Sequence, residues 1–176
     1  MKLNLFILAG GLGTRAAPLS EYRAKPAFPL LGIPLLTRVA GEIFEGSDAP
    51  EKGWINLHHQ PDSVTACLRR DWPLKPLLET VLSGSRILNR SLEDEDWTHL
   101  LVINGDVYCD IPLRSLVTVA AGHDGALLVR EFYREGVYRT LLSTAGRFDR
   151  RGLMAQKGMM YAGVCLLSRK VVRQIQ

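Results

Sequence analysis

The first residues with the types and spacing for chemistry are Gly10-Gly11-Leu12-Gly13-Thr14-Arg15, directly behind an apolar run, and Lys25 further on. Glycines lack a Cβ, so their backbone N–H groups can approach an anion closely. Arg15 adds a planar fork of donors and Lys25 a compact cation. Phosphate oxygens call for donors of this kind. A second candidate is Asn104-Gly105-Asp106, a carboxylate behind another apolar run, Leu100–Asn104. Asn-Gly and Gly-Asp are also turn dipeptides, so the position reads either as a plain turn or as an acid facing a cleft.

Three phosphate-binding patterns compete for the glycine loop. Gly11-x-Gly13-x-x-Ala16 fits a dinucleotide fingerprint, which requires a long helix behind the loop and an acid after the second strand. Pro18, Pro26 and Pro29 interrupt any such helix, and the second strand closes on Asn56-Leu57-His58 without a carboxylate. The P-loop pattern requires Gly-Lys-Ser/Thr, whereas Gly13 is followed by Thr14-Arg15. A tight turn flanked by surface charges explains each residue singly but not the set.

The remaining chemistry-bearing residues are less specific. His58-His59 has no Cys or carboxylate at zinc-ligand spacing and reads as structural or cleft-lining. Cys67, Cys109 and Cys165 form no CxxC pair and read as reduced structural thiols. Asp110 stands where it could cap a following helix.

Several elements are needed to hold these residues. Leu3–Ala9 reads as a fully buried strand. Leu35, Leu36, Val39, Ala40 and Ile43 recur at helical spacing between Gly32 and Glu45. Strands are expected at Trp54–His58, Leu77–Val81, Leu100–Asn104, Ala126–Val129, Tyr138–Leu142 and Val164–Leu167. Helices are expected at Pro61–Arg70, at Ser85–Leu92, from Pro112 with Val117, Ala120 and Ala121 inside, and after Ser168 as a cap. This alternation predicts an α/β, Rossmann-like three-layer sandwich around a mostly parallel sheet, with ligands at the carboxyl ends of its strands.

The chain has 176 residues, 47% of them hydrophobic, and a net charge of +4. Its basic residues are scattered among acidic ones, so neither a nucleic-acid patch nor a membrane span is expected, and cytoplasm is the expected compartment.

The loop belongs to a longer pattern: Gly10 to Arg15, Pro18-Leu19, Lys25-Pro26, then Pro29-Leu30-Leu31-Gly32-Ile33-Pro34-Leu35. This pattern resembles the signature of the sugar-1-phosphate nucleotidyltransferases, the NDP-sugar pyrophosphorylases. The resemblance implies the nucleotide-diphospho-sugar transferase type of the predicted fold and two substrates, an NTP and a sugar-1-phosphate. The activity would resemble that of a mannose-1-phosphate guanylyltransferase or a related uridylyltransferase. Arg15, Lys25 and Asp106 would be catalytic, with Asp106 a ligand of Mg2+. Leu8, Ala9, Gly10, Gly11, Gly13 and Thr14 would hold the nucleotide together with Glu79 and Gly84, which stand in a segment similar to the family's base-binding one. Asn104, Tyr161 and Gly163 would hold the sugar. A homodimer is compatible with this reading.

The chain departs from the family pattern in three places. Ala24 replaces the usual proline before the lysine, and Arg86-Ile87 stands where small residues are usual. The family's Glu-Lys-Pro before the sugar-site element is absent, and Arg147, Arg150, Arg151 and Lys157 populate that stretch. The expectation is a single nucleotidyltransferase domain over 1–176, incomplete at its C-terminus and without the family's second magnesium-binding aspartate. The alternative is a catalytically impaired module that binds nucleotide or sugar phosphate for regulation.

Overall fold

The computed structural model describes residues 1–80, 96–132, 141–144, 147–149 and 158–175. Its centre is β1 (Leu3–Leu8), whose unbroken apolar run is buried except at Leu8. A two-stranded hairpin follows, β2 (Pro29–Leu30) and β3 (Ile33–Pro34). The next two strands, β4 (Lys52–Leu57) and β5 (Leu74–Leu78), extend the sheet outward from β1 in parallel. The chain then returns to the other side of β1, where β6 (His99–Asn104) pairs with it in parallel. β7 (Gly125–Phe132) forms the far edge, and a small hairpin of β8 (Leu142–Thr144) and β9 (Arg147–Asp149) precedes β10 (Gly158–Ser168). β10 inserts antiparallel between β6 and β7, giving the order β5-β4-β1-β6-β10-β7.

The reversal of strand order beside β1 fixes the site. β1 leads to β4 on one flank while β6 lies on the other, so the connections leave a crevice at their carboxyl ends. Leu8 and Asn104, the last residues of β1 and β6, are paired neighbours. Both sequence motifs therefore emerge side by side from the sheet, and the Gly105 N–H donates to the Leu8 carbonyl at 2.9 Å.

Five helices flank the sheet among the described residues: α1 (Leu19–Tyr22), α2 (Leu35–Phe44), α3 (Pro61–Thr65), α4 (Leu113–Ala120) and α5 (Arg169–Val172). None is long and apolar enough to cross a membrane. α2 buries Leu36, Val39, Ala40 and Ile43, as its spacing predicts. They join the core cluster containing Leu5, Ile7, Leu101 and Ile103 on one face of the sheet. The alternate residues Phe6, Leu100 and Val102 join Trp54, Trp97 and Val172 in a second cluster.

Several boundaries differ from those expected. α3 stops at Thr65 rather than Arg70, because Cys67 and Leu68 donate to the carbonyls three residues back and tighten the chain into turns. Trp72 then stacks on Phe44 at 5.7 Å, turning the chain into β5. β5 begins at Leu74 and ends at Leu78, earlier than expected. Asp110 does not cap α4: the cap position is Pro112, without a side-chain hydrogen bond. Pro112 has no N–H to offer Asp110, and the Leu113 N–H donates to the Ile111 carbonyl at 2.7 Å. The Ile111 N–H donates to Glu42 Oε1 of α2 at 2.7 Å. Leu116 and Ala120 are the buried residues of α4, whereas Ala121 is exposed. Ser168 does cap α5, accepting from the Val171 N–H at 3.3 Å. The expected helix at 85–92 lies outside the described residues, as does the start of the strand expected at 138–142.

The β7–β10 seam offers a steric test. A Cβ on Gly125 would lie 2.7 Å from the Leu166 carbonyl oxygen, whereas one on Gly122 would meet nothing within 4 Å. Gly125→Ala is expected to destabilise by about 1–3 kcal/mol through overpacking. Gly122→Ala is expected to stay within about 0.5 kcal/mol of the parent. Urea unfolding of the two variants side by side measures the difference.

Candidate functional site

The glycine loop leaves β1 under the control of Asn56, the penultimate residue of β4. Its Oδ1 accepts from the Ala9 N–H at 2.6 Å and the Gly10 N–H at 3.1 Å. Its Nδ2 donates to Glu79 Oε2 at 3.1 Å, which fixes the orientation of the carboxamide. Asn56 is 3% exposed, so these bonds satisfy an otherwise costly buried amide. The following N–H groups, of Gly11, Leu12, Gly13 and Thr14, make no hydrogen bond to another described residue. Gly13 turns the loop at φ 65, and a Cβ there would lie 3.2 Å from Ser20 Cβ. A non-glycine residue would be both strained and crowded at this point.

Arg15 follows in a single 3-10 turn, Thr14–Ala16, exposed and with neither an ion pair nor a hydrogen bond to a described residue. Lys25 opens another short turn, Lys25–Ala27, anchored by the buried Ala24, Pro26 and Ala27. The segment before it hangs on the chain after β4. His59 Nε2 donates to the Ser20 carbonyl at 2.7 Å, and the Ala24 N–H donates to Ser63 Oγ at 3.0 Å. His58 Nδ1 donates to the Glu79 carbonyl at 2.9 Å. The histidine pair thus docks loops together.

Lys25 Nζ reaches Asp106 Oδ2 at 2.7 Å across 81 residues of sequence. Their side chains are 42% and 27% exposed, so the pair contributes only about 0–1 kcal/mol to stability. Its effect is to place a cation and a carboxylate together at the crevice.

The crevice is a cleft of about 750 Å³ with an adjoining lobe of about 320 Å³. Gly11, Gly13, Lys25, Asn104 and Asp106 line both. The smaller lobe also has Leu8, Ala9, Gly10 and Asn56, and the larger one Thr14, Arg15, Tyr161 and Gly163. Glu79 lies behind the smaller lobe, in contact with Asn56; its Oε1 is buried without a hydrogen-bond partner among the described residues. Gly84 lies outside the described residues.

The β10 side of the cleft depends on a bulge between Tyr161 and Cys165, with Gly163 at φ 84. A Cβ on Gly163 would lie 3.0 Å from Asn104 Nδ2, so only glycine lets Asn104 pack against this strand. Burial pushes the Tyr161 phenol well above its ordinary range, with Cys165 adding to the shift through charge and a hydrogen bond. Burial likewise raises the Cys165 thiol, so both groups are neutral near pH 7.

Two contributors escaped sequence reasoning. Asn56 reads in sequence only as part of a strand end, although an amide ending a buried strand signals a loop to be satisfied. Arg130 of β7, which also lines the larger lobe, looks in sequence like any exposed strand residue.

Comparison with known proteins gives this arrangement a lineage. A family described as nucleotidyl transferase matches residues 5–134. The bifunctional protein GlmU of Methanococcus aeolicus is 26% identical over 115 residues, covering 65% of this chain and 27% of that protein. Mannose-1-phosphate guanyltransferase beta-A of Xenopus laevis is 25% identical over an alignment of 193 positions, covering 99% of this chain and 52% of that protein. The chain thus spans between about a quarter and a half of the length of these relatives. The crystal structure of HddC from Yersinia pseudotuberculosis superposes with a TM-score of 0.75 at 24% identity, covering 97% of this chain and 79% of that one. It shares the Rossmann-like α/β sheet. With the family match running over most of its length, the chain belongs to the nucleotidyl transferase family.

Proposed function

We propose that this domain joins a nucleoside triphosphate to a sugar-1-phosphate, giving an NDP-sugar and pyrophosphate. One observation carries the proposal: Lys25, paired with Asp106, shares a cleft with Arg15 and the N–H groups of Gly11, Gly13 and Thr14, none of which bonds to another described residue. A phosphate oxygen of the sugar-1-phosphate attacks the α-phosphorus, forming a new P–O bond. The bond from that phosphorus to the β-phosphate bridge breaks, and pyrophosphate leaves with the electron pair. A phosphate monoester has its second pKa near ~6, so at neutral pH the nucleophile is largely a dianion with no proton to remove. No general base is required, and the cleft supplies charge and alignment instead.

Each residue has a part in that task. The loop N–H groups cradle the triphosphate, Arg15 grips the departing phosphates through its fork, and Lys25 steadies the α-phosphate region. Asn104, Tyr161 and Gly163 shape the sugar side, and Glu79 supports the base side through Asn56. Asp106 fits magnesium. Its Oδ2 is taken by Lys25, leaving Oδ1 as a hard oxygen donor beside the place for the phosphates. Among the described residues no group of three or more His, Cys, Asp or Glu could hold an ion. The phosphates would therefore be ligands alongside Asp106, a usual manner of binding this cation. Bound there, magnesium would neutralise charge on the triphosphate.

The Xenopus relative's name makes GTP and mannose 1-phosphate the first substrates to try, followed by UTP and CTP with other hexose 1-phosphates. Magnesium-dependent pyrophosphate release from one such pair is the expected result. Silence from every pair would overturn the enzymatic proposal. In the active case, Asp106→Asn is expected to lower turnover at least about 100-fold. It is expected to change stability by less than about 1 kcal/mol, as thermal unfolding would read.

Asn56 gives a second test. Asn56→Asp keeps an acceptor for Ala9 and Gly10 but places a carboxylate against Glu79 and removes the donor between them. The expected outcome is a rise of roughly tenfold in KM for the NTP, the equivalent of about 1.4 kcal/mol of lost binding. Asn56→Ala leaves the two N–H groups without their partner and is expected to cost about 1–3 kcal/mol of stability. Initial-rate kinetics and urea unfolding separate the two effects.

A further inference from the structure

Among the described residues, the cations lining the larger lobe are Arg15, Lys25 and Arg130. They follow the order of the sheet. Arg15 comes from the loop after β1, the Lys25–Asp106 pair sits at the end of β6, and Arg130 stands near the carboxyl end of β7. Three strand spacings separate β1 from β7, roughly 14 Å, enough for two phosphorylated ligands meeting end to end. Arg130 reaches the lobe by simple alternation. Ala126 and Leu128 on the same face of β7 belong to the core or pack against it, and Arg130, two residues further, passes into the cleft opposite Met160.

Arg130 is exposed and has neither an ion pair nor a hydrogen bond to a described residue. An arginine held on a cleft wall with no acidic partner among the described residues offers its whole fork to an incoming anion. In the proposed reaction two anions must meet, a triphosphate and a monoester dianion, and each approach is repulsive without a cation of its own. Arg15 lies beside the unbonded glycine-loop N–H groups and goes with the triphosphate. Lys25 is already neutralised by Asp106 in the free protein. Among the described residues that leaves Arg130 as the unclaimed cation, on the same side as Tyr161 and Gly163. We infer that Arg130 binds the phosphate of the acceptor hexose 1-phosphate. This assignment rests on the proposed reaction.

The decisive measurement is a split between two Michaelis constants. With mannose 1-phosphate varied at saturating GTP and magnesium, Arg130→Met is expected to raise the acceptor KM by roughly 10- to 100-fold. The KM for GTP is expected to stay within about twofold, and Arg130→Lys to recover part of the loss. An unchanged acceptor KM, or an equal rise in both constants, would overturn the assignment. So would a rise produced by Lys157→Ala and not by Arg130→Met. If the parent chain turns over no pair, the proposed reaction fails, and equilibrium dialysis with radiolabelled mannose 1-phosphate tests Arg130 separately. Binding by the parent that is lost in Arg130→Met supports the subsite; equal binding, or none by the parent, overturns it.

Discussion

The carboxamide of Asn56 governs how the glycine loop departs from the sheet. Two N–H groups at the end of β1, those of Ala9 and Gly10, would otherwise lack partners in a buried position. One side-chain oxygen takes both, and Glu79 prevents the amide from flipping by accepting from its nitrogen. The carboxyl ends of β1, β4 and β5 are thereby tied into a single unit. The consequence appears further along the loop, where the next N–H groups make no bond to another described residue. The fold uses a side chain to satisfy the donors it must bury and leaves to a ligand those it can expose.

The Lys25–Asp106 pair works at a different level. It joins residues 81 positions apart and is half exposed, so its contribution to folding is small. What brings the two together is the reversal of strand order, which makes Leu8 and Asn104 neighbours. In the proposed reaction each partner has a second claimant, phosphate oxygens for Lys25 and magnesium for Asp106. A weak, wetted ion pair suits such an exchange better than a buried one, whose separation would cost several kcal/mol.

Much of this was legible in the sequence wherever one physical signal dominated. The apolar run of β1 and the helical spacing of Leu36, Val39, Ala40 and Ile43 located the first strand and helix. The glycine, arginine and lysine pattern located the cleft. Failures came where a further constraint overrode a local rule. Asp110 is a sound cap by residue type, but Pro112 has no N–H and the Leu113 N–H turns back to the Ile111 carbonyl. Only the second half of β10 was visible, because its first half is at most partly buried and the bulge at Gly163 breaks the alternation. Arg130 was illegible for the opposite reason. Its alternation is regular, and only the course of the neighbouring strand reveals that it faces a cleft instead of bulk water.

The antiparallel placement of β10 gives the two ends of the cleft different chemistry. On the β1 side, parallel strands end and loops begin, so backbone N–H groups are the natural donors and recognition is of phosphate in general. On the β7 side, the cleft is walled by the first half of β10, which pairs with β7 along one edge. The side chains of Arg130 and Tyr161 line it there and supply a cation and a neutral phenol. Backbone donors cannot be changed by substitution without changing the turn, whereas side-chain donors can be exchanged one at a time. In the proposed reaction the triphosphate end is therefore tied to the fold itself, and the acceptor end is where the same sheet can be adapted to a different sugar phosphate.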